Sequence, residues 1–174
     1  QGLEGSVKEV IKKLNGLSRN MEKTAKLYNT INQKAYWESE AKKSFLKYLQ
    51  SDGYYAATIE TEFTEGENTI IFYINGWQRY KIKRLLLKHA ENSNHNIKEP
   101  DFNDLKIKEG DFAVASNIID VQNAIVDAIE KNNCLLSLEV THEAVIDHLD
   151  DSISVDFIIN AGPNAKVKSV DLKG

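Results

Sequence analysis

The stretch that decides the fold is FLKYLQSDGYY, residues 45–55, because it returns in diverged form as IVDAIEKNNCL, residues 125–135. In both copies the apolar positions have helical spacing, and a turn follows the helix. Gly53 stands at the turn of the first copy and Asn133 at that of the second. Gly and Asn are the residues that most often adopt the left-handed conformation after a helix. We therefore expect an internal repeat with the same helix end in both copies.

Two further matches set the period of this repeat. Residues 75–87 match residues 160–172, and in both a strand pattern ends, the chain turns and another strand pattern begins. Leu3–Gly5 also matches Leu172–Gly174. A unit thus opens near residues 1, 76 and 161, with a period of about 85 residues. The predicted domains are 1–75, whose first strand is cut to a tail near Leu3, then 76–160, and 161–174 as the opening strand of a following unit.

The elements within a unit follow the order β-α-α-β-β. The first strand is predicted over 80–87 in the second unit and over 165–172 in the third. The first helical segment of unit one has Ser6 as its N-cap and an apolar stripe formed by Val7, Val10, Ile11 and Leu14. Residues 21–31 extend this helix or form another. In unit two, a short helix starts at Glu99–Asp101, with Phe102 and Leu105 pointing inward.

The second helix and the two closing strands complete each unit. The helices carry stripes formed by Trp37, Ala41, Phe45, Tyr48 and Leu49 in unit one, and by Val114, Ile118, Val121, Ile125, Ala128 and Ile129 in unit two. The strands are predicted over 55–63 and 69–74, and over 135–145 and 152–159. The fold class is therefore α+β: tandem modules, each a three-stranded mixed sheet covered on one face by two helices.

Composition and motifs exclude several classes of function. The net charge of −4 argues against nucleic acid as a partner, and the alternating run 79–84 is typical of a half-buried strand. A single cysteine, Cys134, excludes intrachain disulfides and multi-cysteine zinc sites. The sequence contains no run of about 18 apolar residues, so it predicts no membrane-spanning helix. The sequence contains no phosphate-binding loop, nucleophile elbow or zincin motif, so we expect no catalytic residues, no cofactor and no metal.

Two weaker chemical interpretations remain open. His142 and His148 would share one face of a continuous strand and form a metal-binding pair, but exposed polar side chains explain them better. Cys134 is a nucleophile or, as we expect, a buried structural thiol, because it matches the apolar position of Tyr54.

The element order, the period and these signatures resemble POTRA (polypeptide-transport-associated) domains of the BamA/TamA outer-membrane assembly family, with the greatest similarity to the TamA branch. The resemblance rests on three segments: Asp52–Tyr55 at the helix end, Lys108–Phe112 before the long helix, and Asn160–Pro163 at a joint between domains. Asn133–Cys134 departs from the family's usual Gly-Tyr pair.

This resemblance implies a non-enzymatic protein at the periplasmic face of the outer membrane of a Gram-negative cell. Its implied partners are unfolded outer-membrane or autotransporter polypeptides, an inner-membrane-anchored partner subunit and a C-terminal β-barrel of the same chain. The alternative is a POTRA-like interaction domain of a cell-division or other envelope scaffold. Residues Gly76, Trp77, Gly162 and Pro163 are predicted to form the joints between domains.

The resemblance also implies that the second strand of each sheet is an exposed edge. An exposed edge accepts an incoming strand through backbone hydrogen bonds, which require little sequence specificity. The candidate client-binding residues are Tyr55, Ala57, Ile59, Thr61, Phe63, Leu136, Leu138 and Val140. In the alternative interpretation, these strands only build the sheet, and Glu60, Glu62 and Glu139 protect its edge.

Overall fold

The structure, a computed structural model, describes residues 2–25, 31–64 and 69–166. The chain divides into two compact units, Gln1–Arg79 and Tyr80–Gly174. The protein is α+β, as predicted: the described residues form three α-helices, a two-stranded sheet and a three-stranded sheet. The strand predicted over 165–172 lies largely outside the described residues.

Unit 1 packs two helices against a hairpin. Its elements are helices α1 (Gly2–Ala25) and α2 (Ile31–Ser51) and the antiparallel strands β1 (Thr58–Thr64) and β2 (Thr69–Asn75). The buried core consists of Val10, Leu14, Ala41, Phe45, Leu49, Tyr54, Ala57 and Ile59. The helical residues of this core lie on the predicted stripes, so the apolar spacing positioned both helices correctly.

The start of unit 1 differs from the prediction. Leu3 lies within α1 rather than in the tail of a strand, and Ser6 is four residues inside the helix rather than at its N-cap. The physical reason is visible in the sequence, because Leu3, Val7, Val10 and Leu14 continue one helical stripe. Residues 21–31 were expected either to extend the first helix or to form another, and residues 21–25 extend α1.

The two repeat copies end their helices by different means. Gly53 has φ 96°, and the amide of Tyr54 donates to the carbonyl of Leu49 at 2.9 Å, which is a Schellman helix end. The same conformation predicted at Asn133 is wrong, because its φ is −135°. The Asn133 side-chain amide instead donates to the carbonyl of Ile129 at 2.8 Å, so a side chain satisfies the helix end that a glycine turn satisfies in unit 1.

Unit 2 forms the predicted three-stranded mixed sheet. Its elements are β3 (Lys81–His89), a 3-10 helix (Phe102–Asp104), α3 (Ala115–Asn132), β4 (Leu138–Asp147) and β5 (Ser152–Ala161). The strand order is β3-β5-β4, with β3 parallel and β4 antiparallel to β5. Among the strands that the structure describes, both β3 and β4 are therefore edge strands.

The core of unit 2 lies between α3 and the sheet. Four residues of α3 are buried, namely Ile118, Val121, Ile125 and Ile129. They pack on the face of β5 that contains Ile153, Val155, Phe157 and Ile159, all of which are almost completely buried. The first predicted helix of this unit, which was expected to start at Glu99–Asp101, is the short 3-10 helix. It is capped by Asp101 and followed by buried Leu105, as the sequence pattern indicated.

Two predicted strands begin later than expected. Tyr55 and Ala56 lie in a turn, in which the amide of Ala57 donates to the carbonyl of Tyr54 at 3.2 Å. Residues 135–137 precede β4 and pair in the same register with the residues after β5, where Leu135 forms an isolated bridge with Asn164. There the amide of Leu136 donates to the carbonyl of Pro163 at 3.1 Å. The candidates Tyr55, Ala57 and Leu136 therefore lie just before the edge strands rather than in them.

Candidate functional site

Among the described strands β4 pairs with β5 alone, and the hydrogen bonds of β5 show which backbone groups of β4 lie on its other edge. The carbonyl of Ile159 accepts from the amide of Ala90 at 2.9 Å, on the side of β3. The amide of Gly162 donates to the carbonyl of Ser137 at 2.8 Å, on the side of β4. Because backbone groups alternate sides along a strand, the even-numbered residues of β5 bond to β4.

The register then identifies the outward-facing residues of β4. Thr141 is paired with Ile158 and Glu143 with Asp156, so the odd-numbered residues of β4 bond inward. The N–H and C=O groups that face away from the sheet belong to Leu138, Val140, His142, Ala144 and Ile146. We call these five residues the β4 edge. The predicted candidates Leu138 and Val140 are two of them.

An incompletely covered apolar surface runs beside the β4 edge. Val140 is buried under α3, but Ala144 is exposed and Ile146 is 40% exposed. On α3, Gln122 faces His142, with 2.5 Å between Oε1 and Nδ1, and Ile119 lies about one turn earlier with 47% of its surface exposed. A strand added at this edge would bury apolar side chains against Ile119, Ala144 and Ile146.

Charged residues occupy the opposite face of the sheet. Glu139 and Glu143 of β4 are exposed there. Asp156 of β5 accepts from Lys88 at 2.5 Å and from Arg84 at 3.4 Å. Exposed ion pairs of this kind add little stability. Val145, with 67% of its surface exposed, is the apolar exception on this face, whereas Ala144 and Ile146 lie on the α3 face.

Unit 1 offers a similar edge at β1. Within the described residues, β1 pairs with β2 alone. The candidates Ile59, Thr61 and Phe63 alternate along it: Ile59 is buried, and the Thr61 hydroxyl bonds the Glu38 carboxylate of α2. This contact parallels that of His142 with Gln122. In both units, a helix side chain thus holds the middle of the candidate edge strand.

The predicted joint residues lie at tight backbone positions. Gly76 has φ 79°, and a Cβ atom there would overlap the carbonyl of Ala56. A Cβ atom on Gly162 would overlap the Ser137 hydroxyl, and the Pro163 carbonyl accepts from Leu136. Trp77 packs within unit 1, where its ring centroid is 5.7 Å from that of Tyr54. A role for these residues between domains remains a prediction.

The residues considered for other chemistry are dispersed. His142 bonds Gln122, whereas His148 lies in the turn beyond β4, with its Nδ1 2.7 Å from the hydroxyl of Tyr80. In the part of the chain that the structure describes, no group of three or more His, Cys, Asp or Glu residues is arranged to hold a metal ion. The prediction of a buried Cys134 is wrong, since this thiol is exposed. Extended Asn133, unlike left-handed Gly53, does not direct the next side chain into the core.

The buried phenol of Tyr80 is expected to make the stability of unit 2 depend on pH in the alkaline range. Burial raises the pKa of the Tyr80 phenol, and the negative charge of Asp151 raises it further. A raised pKa means that the folded state favours the neutral phenol over the phenolate. The contribution of the neutral phenol to the stability of unit 2 is therefore complete below the pKa of Tyr in the unfolded chain, about 10. This contribution is lost as the pH rises through the pKa of Tyr80 in the folded protein. We expect the stability difference between the wild type and Tyr80→Phe to shrink between about pH 9 and 11. Urea midpoints across this range test it, and parallel curves would contradict it.

The described helices include none with both the length and the apolarity needed to cross a bilayer. The fold and the edges define a class, namely α+β modules in tandem with exposed edge strands. No family model and no curated protein matches the sequence.

The solved structures that are similar to the chain include the following three. POTRA3-5 of BamA from Haemophilus influenzae has a TM-score of 0.41 and 16% identity, and the match covers 70% of this chain and 50% of that one. POTRA1-3 of the periplasmic domain of Omp85 from Anabaena has a TM-score of 0.42 and 10% identity, and the match covers 74% of this chain and 51% of that one. BamA from Haemophilus ducreyi lacking POTRA domains 1-3 has a TM-score of 0.40 and 17% identity, and the match covers 71% of this chain and 22% of that one. The chain thus spans about half the length of the first two structures.

Proposed function

We propose that this chain is the periplasmic POTRA region of a TamA-like outer-membrane assembly protein in a Gram-negative cell, and that it binds client polypeptides without catalysing a reaction. Unfolded outer-membrane and autotransporter chains add a strand to the β4 edge and to β1. An inner-membrane-anchored subunit and a barrel of the same chain are its further partners. The observation that carries the proposal is the row of outward-facing backbone groups on β4, next to an incompletely covered apolar surface.

The energetics of such an edge suit transient binding. A backbone hydrogen bond contributes a net free energy of about 0.5–1.5 kcal/mol, whereas ordering each residue of an unfolded client costs about 1–2 kcal/mol. The five outward-facing residues therefore hold a client only when its side chains also bury apolar area. A site of this kind releases its clients readily, as a guide for folding chains must.

The two faces of the edge give a coarse selectivity. Backbone hydrogen bonds carry no sequence information, so many clients fit. Exposed Ile119 and Ile146 favour clients with an apolar residue at every second position, while Glu139 and Glu143 disfavour acidic residues on the other face. Alternating apolar and polar residues are typical of the strands of membrane barrels.

Proline at Ala144 tests the proposal, because it removes an outward-facing amide and leaves the β4–β5 ladder intact. We expect Ala144→Pro to reduce client crosslinking about five- to tenfold, the equivalent of roughly 1–1.4 kcal/mol. The readout is crosslinking of an unfolded barrel protein to a photoreactive side chain at Val145.

Ala144→Val is the matched control, since it keeps the amide and adds apolar surface at the same position. It should crosslink as well as the wild type or better. Circular dichroism establishes that both variants are folded. Unchanged crosslinking in folded Ala144→Pro would contradict the use of this edge.

A further inference from the structure

The β4 edge has the same character in both directions from His142. Two of its outward-facing residues precede His142, namely Leu138 and Val140, and two follow it, namely Ala144 and Ile146. All four are apolar, and because side chains alternate along a strand, they lie with the His142 ring on the α3 face. The edge therefore has the symmetry that pairing with an identical edge requires.

An antiparallel pair of two β4 strands, related by a two-fold axis at His142, satisfies this edge. In that register Leu138 lies opposite Ile146 of the second copy, and Val140 lies opposite Ala144. His142 lies opposite its own counterpart. Each pair exchanges its outward N–H and C=O groups, so every such group of the edge gains a partner. The apolar side chains of the two copies then pack against each other on the α3 face.

The charges on the opposite face of the sheet select this register. It places Glu139 opposite Val145, which is 67% exposed, and Glu143 opposite Thr141, so no two carboxylates meet. A register shift of two residues in one direction would place Glu139 opposite Glu143, and a shift in the other direction would place Glu143 opposite itself. Like charges directly opposite each other destabilise a strand pair. Larger shifts leave more of β4 unpaired.

We propose that β4 pairs with β4 of a second copy of this chain about this two-fold axis and so forms a symmetric dimer. The two three-stranded sheets join into one sheet of six strands, with both α3 helices on the same face. Ile119, which is 47% exposed on the β4 side of α3, then faces the second copy. The dimer thus covers the apolar surface beside the edge as well as its backbone groups.

This interface suits a weak dimer. One strand pair and the side of one helix bury less than the roughly 1,200–2,000 Å² of stable, specific interfaces. We therefore expect the dissociation constant of the dimer to lie at about 0.05–0.5 mM.

The dimer also covers the edge to which we assign client binding. A client must then displace the second copy, so segments with low affinity are kept from the edge. This consequence rests on the proposed function, but the dimer itself does not. Client binding is measured at low micromolar concentrations, at which the chain is monomeric, so the two proposals fail separately.

A charge exchange at the axis tests the dimer, because the axis brings residue 142 against itself. His142→Glu and His142→Lys each place two like charges opposite each other, whereas an equal mixture of the two variants places Glu opposite Lys. Both variants lose the contact with Gln122, so comparing each variant with the mixture isolates the effect of charge. We expect each variant alone to dimerise at least about fivefold more weakly than the mixture. Sedimentation velocity measures this association.

Asn117→Glu and Asn117→Lys are the matched controls. Asn117 is exposed on α3 and lies about 200° around the helix from Ile119, on the flank away from β4. These variants and their mixture should dimerise as the wild type does, and circular dichroism establishes that all variants are folded. A wild type that stays monomeric at about 1 mM would overturn the inference. So would a dimer that each His142 variant forms as well as the mixture does.

Discussion

Replacing Phe157 with alanine is expected to destabilise unit 2 by about 3–5 kcal/mol, the largest single effect we predict. Phe157 is completely buried at the centre of β5, where Phe102 and His142 lie against its ring. Both flanking strands pair with β5, so the cavity cannot collapse without disturbing two ladders. The expected loss is a large fraction of the stability of a small domain.

Urea unfolding followed by circular dichroism measures this loss. Both tryptophans, Trp37 and Trp77, lie in unit 1, so their fluorescence does not report directly on unit 2. Leu149→Ala is the control, because Leu149 is fully exposed at the hairpin tip and its loss should change stability by less than about 0.5 kcal/mol. A Phe157→Ala protein with the wild-type midpoint would contradict the described core.

Valine at Gly76 is expected to destabilise unit 1 by roughly 2–4 kcal/mol, for two reasons that act together. The φ of 79° disfavours any β-branched residue, and the new Cβ atom would overlap the carbonyl of Ala56. That carbonyl belongs to the backbone, so the overlap can be relieved only by moving the turn before β1. The fluorescence of neighbouring Trp77 follows this transition.

Two other glycines separate the effect of the positive φ from the effect of the steric overlap. Gly110 has φ 90° but open space around it, so Gly110→Ala should cost only the conformational part, about 1–2 kcal/mol. Gly16 lies within α1 with no atom near its Cβ position, so Gly16→Ala should stabilise the helix by about 0.5–1 kcal/mol. If Gly76→Val unfolded at the wild-type midpoint, the described turn would be wrong.

The fold could be predicted from the sequence wherever a repeated pattern had one physical interpretation. The stripes of α2 and α3 and the positive φ of Gly53 are of this kind. Asn133 could not be predicted, because asparagine satisfies a helix end either by a left-handed backbone or by its side-chain amide, and here it uses the amide. Leu3 matched a strand end in the repeat and also continued a helical stripe, and the structure follows the stripe.

The candidate site was predictable in part. Strand propensity located β1 and β4, and alternation selected Ile59, Thr61, Leu138 and Val140. The sequence alone does not reveal which backbone groups face outward, since that depends on the pairing of β5 with both neighbours. Ile119 was missed because an exposed apolar residue on a helix is unremarkable until the neighbouring strand is known.

Amide hydrogen exchange of the β4 edge, measured with and without an unfolded barrel protein, tests the central claim most directly. The amides of Thr141 and Glu143 already face the ladder with β5, so the client should leave their exchange nearly unchanged. The account predicts that the client slows exchange at Leu138, Val140, His142, Ala144 and Ile146. Bound client with unchanged exchange at these five amides would contradict strand addition at β4.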